Sequence, residues 1–185
     1  MHVRKAKPTD ASSIARVHVN SLRETYSGIV PPEFLARLSY KHREQEWQSL
    51  IATAHKSEAG VLVMEDSEII IGFADGGPVR EEMLSFEGEL YSIYILREYQ
   101  RKGLGTQLVS LIAQQLLGEG MHSMMLWVLA RNPARHFYNA IGGKPFKRRY
   151  IAIGGTKLLE LAYGWSDIRP LVASRPQSLR LYLSH

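Results

Sequence analysis

Glu89-Leu90-Tyr91-Ser92-Ile93-Tyr94-Ile95, a charged step through Arg97-Glu98-Tyr99, then Gln100-Arg101-Lys102-Gly103-Leu104-Gly105-Thr106 is the stretch whose reading decides the fold. Its first seven residues alternate polar and apolar side chains with period two, the pattern of a strand. From Thr106 to Leu117 the period changes: Leu108, Leu111, Ile112 and Leu116 share one side of a helix that Gly118 ends. Gly103 and Gly105 lie between the two, where the first backbone N–H groups of a helix have no partner within it. Glycine lets the backbone approach a phosphate closely, and the helix dipole adds roughly half a positive charge there. Arg101 and Lys102 bring two full charges to the same turn. The stretch reads as a pyrophosphate cradle; the competing reading is a tight turn with a solvated basic edge. A Rossmann fingerprint needs a third glycine where Leu108 stands, and no Gly-Lys-Ser/Thr follows for a Walker loop.

Outward from that turn, strands and helices alternate. Val3 to Lys5 reads as a strand, and Pro8-Thr9-Asp10 as a helix start with Thr9 as N-cap. Ala11, Ile14, Ala15, His18, Leu22 and Tyr26 follow at helical spacing, up to Gly28. Pro31-Pro32 opens a broken helical stretch to about Thr53. Val61 to Glu65 and Ile69 to Asp75 form strands around Asp66-Ser67, and Gly76 to Glu87 reads as a polar loop. Met124 to Leu129 is a buried strand. Asn132-Pro133 opens a helix to Ile141, closed by Gly142-Gly143. Tyr150 to Ile153 and Lys157 to Tyr163 form a hairpin across Gly154-Gly155. The order predicts an α/β (α+β) domain over residues 1–165, a mixed sheet covered by helices. Residues 166–185 are a tail carrying Ile168, Leu171, Val172, Leu179, Leu181, Tyr182 and Leu183. That apolar surface is expected to pack on its own domain or at a homodimer interface.

Composition narrows the function. The 185 residues suit one domain, and 45% hydrophobic with 22% charged residues exclude disordered and fibrous classes. The absence of cysteine excludes disulfides, thiolate metal sites and a cysteine nucleophile. Lys and Arg number 23 against 18 Asp and Glu, a net +5 that favours an anionic partner. The polar N-terminus is no signal peptide and no apolar run reaches the ~18 residues of a membrane span. A soluble cytoplasmic chain is expected. Histidines and carboxylates do not recur at metal-ligand spacing, so no metal is expected. His18 reads as a packed histidine, His136 as a surface residue, and Lys147-Arg148-Arg149 as a solvated strand end or a contact for phosphate or an acidic substrate. Nucleic acid is an unlikely partner, because the distinctive basic residues gather at one glycine turn instead of spreading over a face.

The strand from Glu89 to Ile95 with Gln100-x-x-Gly103-x-Gly105 resembles the acetyl-CoA motif of the GNAT acetyltransferase superfamily. Asn132-Pro133-Ala134-Arg135-His136-Phe137-Tyr138-Asn139-Ala140-Ile141-Gly142-Gly143 resembles its second signature. The family's Gly-Phe is Gly142-Gly143 here, with Phe146 three residues on. The resemblance covers residues 3–163. It implies a mixed, mostly antiparallel sheet of six or seven strands with splayed central strands. The implied reaction moves acetyl from acetyl-CoA directly to a primary amine of a small molecule or peptide. Backbone amides of Arg101, Lys102, Gly103, Leu104, Gly105 and Thr106, after Gln100, would hold the pyrophosphate. Ile93, Tyr94 and Ile95 would pair with the pantetheine arm as an added strand, and Asn132 would hydrogen-bond it, besides capping a helix. Tyr138 would be the general acid; the plain alternative is a core aromatic. Glu89, eleven residues before Gln100, would be a general base through water; the plain alternative is a strand residue facing solvent. Tyr26, Phe34, Trp47, Glu81, Glu82 and Glu87 would shape an acceptor site suited to a cationic amine, and the run from Arg23 to Pro31 resembles small-molecule members. A non-catalytic acyl-CoA sensor and a nucleic-acid-binding module are the competing functions.

Overall fold

A computed structural model describes residues 1–54, 60–81 and 85–173. The strands are β1 (His2–Lys5), β2 (Leu62–Asp66), β3 (Ile69–Pro78), β4 (Gly88–Ile95), β5 (Met124–Leu129), β6 (Lys144–Ile153) and β7 (Thr156–Trp165). They form one open seven-stranded sheet in the order β1-β2-β3-β4-β5-β7-β6. All neighbours are antiparallel except β4 and β5, which run parallel and pair only at Gly88 with Met124 and Glu89 with Met125. Past that point the strands diverge, and β5 continues along β7 as far as Leu129 with Glu160. The sheet is therefore split at its centre.

Helices cover both faces. α4 (Leu104–Gly118) packs Leu108, Ile112 and Leu116 onto Leu90, Met124 and Leu126. On the opposite face α1 (Ala11–Tyr26) and α3 (Tyr40–Ala54) pack Ile14, Val17, Trp47 and Ile51 against Val63 and Phe73. The short α2 (Pro32–Ala36) reaches the β6–β7 turn, where the Cβ position of Gly154 lies 3.1 Å from Phe34 Cβ. Among the described residues no helix is long and apolar enough to cross a membrane.

Several boundaries differ from the sequence reading, each for a local reason. Thr9 does not cap α1. Pro8–Asp10 is a 3-10 turn in which Asp10 accepts the Lys7 N–H at 2.7 Å while paired with Arg4 of β1. β3 runs on to Pro78, because Gly76, Gly77 and Pro78 still pair with Leu90, Glu89 and Gly88. β6 begins at Lys144, held by β7 along a mostly exposed edge whose side chains carry little hydrophobic signal. α5 (Arg135–Ala140) starts after Pro133, because Asn132 Oδ1 accepts the Ala134 N–H at 2.8 Å and closes a turn first. Beyond Trp165, Ile168 and Leu171 are buried in the core under α4, the latter on α6 (Arg169–Ala173). Leu179, Leu181, Tyr182 and Leu183 lie outside the described residues, as does Glu82.

Candidate active site

The divergence of β4 from β5 leaves the β5-facing edge of β4 unpaired from Leu90 to Ile95. That edge runs directly into the glycine turn. Gln100 Nε2 donates to the Ile95 carbonyl at 2.8 Å and ties the turn to the strand end. Arg101 and Gly103 both adopt left-handed backbone, φ 63° and 79°. Gly103 caps α4, whose first-turn N–H groups from Leu104 to Thr106 precede any helical acceptor. Leu104 turns its side chain into the core, so only its backbone faces the turn. A Cβ on Gly103 would meet nothing within 4 Å, whereas one on Gly105 would lie 3.2 Å from Phe137 Cζ. The first glycine serves the turn's handedness, the second the approach of α5 to α4. Thr106 opens onto a cavity of ≈ 480 Å³ that Val109, Ile141, Trp165 and Leu171 also line.

The opposite lip is built from the β5–α5 connection. Asn132 is buried, with Oδ1 fixed by Ala134, so its Nδ2 faces away and donates to the Tyr26 hydroxyl at 3.3 Å. Tyr26 comes from the last turn of α1, and its hydroxyl also accepts from Tyr94 of β4. One phenol thus ties both lips of the split together. The Tyr138 ring packs between Phe137 and Tyr163 with its edge in the α4-side core. Burial pushes the Tyr138 hydroxyl up, and the nearby Tyr26 pushes the same way. It stays a protonated donor well above neutral pH.

At the closed end of the split sits Glu89, buried rather than solvent-facing. Its Oε2 accepts from Arg80 N and Nε at 3.1 Å each, and its Oε1 pairs with the same guanidinium. The next residue, Glu81, pairs with Arg149 of β6, which also holds Glu160 at 2.8 Å and lies 3.8 Å above the Trp127 ring. Arg80 and Glu81 form a strap that ties the end of β3 to β4 and to β6. Asp75 of β3 is buried nearby, and burial pushes its carboxyl up to about 7 against the opposing effects of Arg80 and the Gly76 N–H.

The profile of the Acetyltransferase (GNAT) family matches residues 19–142. The chain belongs to that family. This GNAT acetyltransferase is 41% identical over 170 residues to YuaI of Bacillus subtilis, described as an uncharacterized N-acetyltransferase, covering 91% of this chain and 95% of that one. Among solved structures, PaiA N-acetyltransferase of Thermoplasma acidophilum in complex with coenzyme A superposes with TM-score 0.69 at 21% identity, over 86% of this chain and 96% of that one. YncA of Salmonella typhimurium with acetyl-CoA gives 0.68 at 19% identity, over 89% and 92%.

In this acetyltransferase, Ile93, Tyr94, Ile95, Asn132 and Tyr138 gather around the split, and the residues from Gln100 to Thr106 continue its edge. Two residues expected to shape the acceptor side do other work. Trp47 is core, donating its indole N–H to His18 Nδ1 at 3.1 Å. Glu87 holds the entry to β5 through the His122 and Ser123 N–H groups. Arg149 is no solvated strand end but an ion-paired part of the strap. The sequence pattern ends β3 at Asp75, which hides the register that sets Asp75 and Arg80 against β4.

Proposed function

We propose that the chain transfers acetyl from acetyl-CoA directly to a primary amine of a small molecule, acting in the cytoplasm. The observation that carries this reading is the unpaired β5-facing edge of β4 from Leu90 to Ile95, which leads through the turn tied by Gln100 to the free N–H groups of the first turn of α4. It suits an extended, amide-bearing arm followed by a pyrophosphate. In this reading the β4 edge at Ile93 to Ile95 pairs with pantetheine, Asn132 Nδ2 donates its second proton to it, and the glycine turn with Arg101 and Lys102 holds the phosphates. The YncA neighbour was solved with acetyl-CoA, which supports the choice of donor. Acetyl-CoA supplies a thioester carbonyl activated toward nucleophiles. The chain's own groups then orient that carbonyl, exclude water and move protons. Tyr138 is the proton donor to the departing sulfur.

The acceptor side favours a cation. Asp75 and Glu89 lie near the Arg80 guanidinium, and Glu81 and Glu160 pair with Arg149, four carboxylates against two guanidinium groups. An ammonium group is drawn to such surroundings. The test is calorimetric titration with acetyl-CoA, followed by a CoA-release screen over polyamines, amino acids, aminoglycosides and peptide N-termini. Tight acetyl-CoA binding with turnover of a small amine supports the reading. Binding without turnover of any amine would leave an acyl-CoA sensor instead.

A further inference from the structure

The geometry points to Asp75 as the group that takes the proton an acceptor ammonium must lose, an assignment resting on the acetyltransferase reading above. Asp75 pairs in register with Ser92 of β4, so both side chains leave the same face of the sheet. Two pairs further along, Phe73 and Tyr94 share that face with His18 and Trp47, ring centroids 4.9–5.6 Å apart. In the other direction the ladder slips: Gly76 pairs with Leu90 and Asp75 with Ser92, leaving Tyr91 as the extra residue of a bulge. Asp75 therefore sits between a wall of rings and the Arg80–Glu89 pair. Only 6% of it is accessible.

Its partners are what set it apart from Glu89. Among the described residues Asp75 joins no ion pair, and its carboxyl is met by the Gly76 N–H alone. Beside it, the Ser92 hydroxyl is buried with no hydrogen-bond partner. Both oxygens of Glu89 are already engaged by the Arg80 guanidinium and backbone N–H. The structure thus divides two carboxylates between two tasks: Glu89 fixes Arg80 and the strap, and Asp75 keeps a carboxyl free. The charged and titratable groups that face Asp75 are Arg80 from the strap, Tyr91 from β4, and Glu89 beyond Arg80; α1 contributes the neutral His18 to the adjoining ring cluster. Burial outweighs Arg80 and brings the carboxyl close to neutrality, where a base works best.

The proton count closes. The ammonium gives one proton to the Asp75 carboxylate, and the freed lone pair attacks the thioester carbonyl carbon. The C–N bond forms, then the C–S bond breaks and its electron pair leaves on sulfur, which takes the Tyr138 proton. The second proton of the attacking nitrogen restores Tyr138, and Asp75 returns its own to solvent.

The experiment compares the full-length protein with Asp75→Asn, Asp75→Glu and Glu89→Gln, using calorimetry with acetyl-CoA and kcat/KM from pH 5 to 10 with an amine from the screen. Wild type should show an acidic limb with its midpoint near 7. Asp75→Asn should stay folded and keep acetyl-CoA affinity while losing about 10²–10⁴-fold in rate and losing the limb. It should partly recover at high pH, and Asp75→Glu should restore part of the rate. Asp75→Asn with the limb intact, or a limb abolished by Glu89→Gln alone, would overturn the assignment while leaving the acetyltransferase reading standing. No acetyl-CoA binding by wild type would remove both.

Discussion

The two faces of the sheet are built from different materials. Under α4 the contacts are aliphatic: Leu90, Leu108, Ile112, Leu116, Met124 and Ile168 are all nearly or wholly buried. Under α1, besides the aliphatic Ile14, Val17 and Ile51, lie the rings of His18, Trp47, Phe73 and Tyr94, and the same face carries the buried Asp75. Apolar burial contributes stability that varies little with pH. Buried polar groups weaken a fold unless paired, but they can move protons. The comparison suggests that the α4 face holds the cofactor turn rigid while the α1 face carries the chemistry. Tyr138 joins the two, its ring in the α4-side core and its hydroxyl close to Tyr26.

The largest expected effect falls at that junction. Tyr138→Phe keeps the ring and its packing and removes only the hydroxyl. We expect kcat to fall by about 10²–10⁴-fold with acetyl-CoA affinity and melting temperature unchanged. Steady-state kinetics and calorimetry on the same preparation read both quantities. A full kcat would leave Tyr138 on the packing side of the comparison alone.

The α4 face was legible in the sequence, and the α1 face was legible only in part. Leu108, Leu111, Ile112 and Leu116 announce a helix by period, and Gly103 announces its start, because aliphatic spacing and glycine turns are local signals. Tyr138 and Asn132 belong to a motif that is local too. Asp75, Arg80 and the strap to Arg149 depend on pairings between residues far apart in the chain, such as Arg149 with Glu81. A bulge that changes which residues face each other leaves no period to read. Asp75 reads as the end of a strand because Gly76-Gly77-Pro78 looks like a loop. In the fold those residues continue the ladder, and Gly76 is required there: a Cβ would lie 2.8 Å from Ile112 and 3.0 Å from the Glu89 carbonyl.

Next in size is the loss of an aliphatic contact on the α4 face. Ile168 is wholly buried and its N–H donates to the His122 carbonyl at 3.0 Å. Ile168→Ala should destabilise by about 2–5 kcal/mol, the range for large-to-small core substitutions. Because no titratable group is involved, the loss should be the same at pH 5 and pH 8. Chemical denaturation at both values checks it, and a strongly pH-dependent loss would erase the contrast between the faces.

The α1 face should show the opposite behaviour. Burial holds the Asp75 proton to about 7, against 3.8 for a free carboxyl. The folded state then binds more protons than the unfolded one between those values, and stability falls as pH rises across that window. His18 works in the other direction: desolvation first, then Arg43, lower its pKa from 6.5 to about 4. The unfolded chain gains a proton that the folded chain refuses, so stability falls as pH drops from about 6.5 to about 4. In the wild type the two slopes oppose each other. Asp75→Asn should unmask the histidine and make the protein acid-labile, while gaining no more than about 4 kcal/mol at pH 8. His18→Gln, which keeps an acceptor for Trp47, should unmask the aspartate and leave stability highest in acid, with a span of about 4 kcal/mol. Melting temperatures from pH 4 to 8 decide it; parallel curves for the two variants would refute the opposition.

The smallest expected effect separates the two glycines of the turn. Gly103 sits at φ 79° with open space around its Cβ position, so Gly103→Ala meets no clash and costs only the left-handed backbone, about 1–2 kcal/mol. Gly105 has ordinary dihedrals, but its Cβ would press on Phe137 Cζ at 3.2 Å. A ring edge can give by a few tenths of an ångström, so Gly105→Ala should cost about 1 kcal/mol or less in stability. For binding the order should reverse. In Gly103→Ala a backbone that keeps its left-handed turn still presents the α4 N–H groups. In Gly105→Val the added bulk presses on Phe137 and pushes the first turn of the helix, and with it those N–H groups, out of place. We expect Gly103→Ala to melt lower with acetyl-CoA affinity little changed, and Gly105→Val to lose acetyl-CoA while staying folded. Calorimetry on the two variants reads this directly. Unchanged affinity in Gly105→Val would take the phosphates away from the turn and leave the α4 face with a purely structural role.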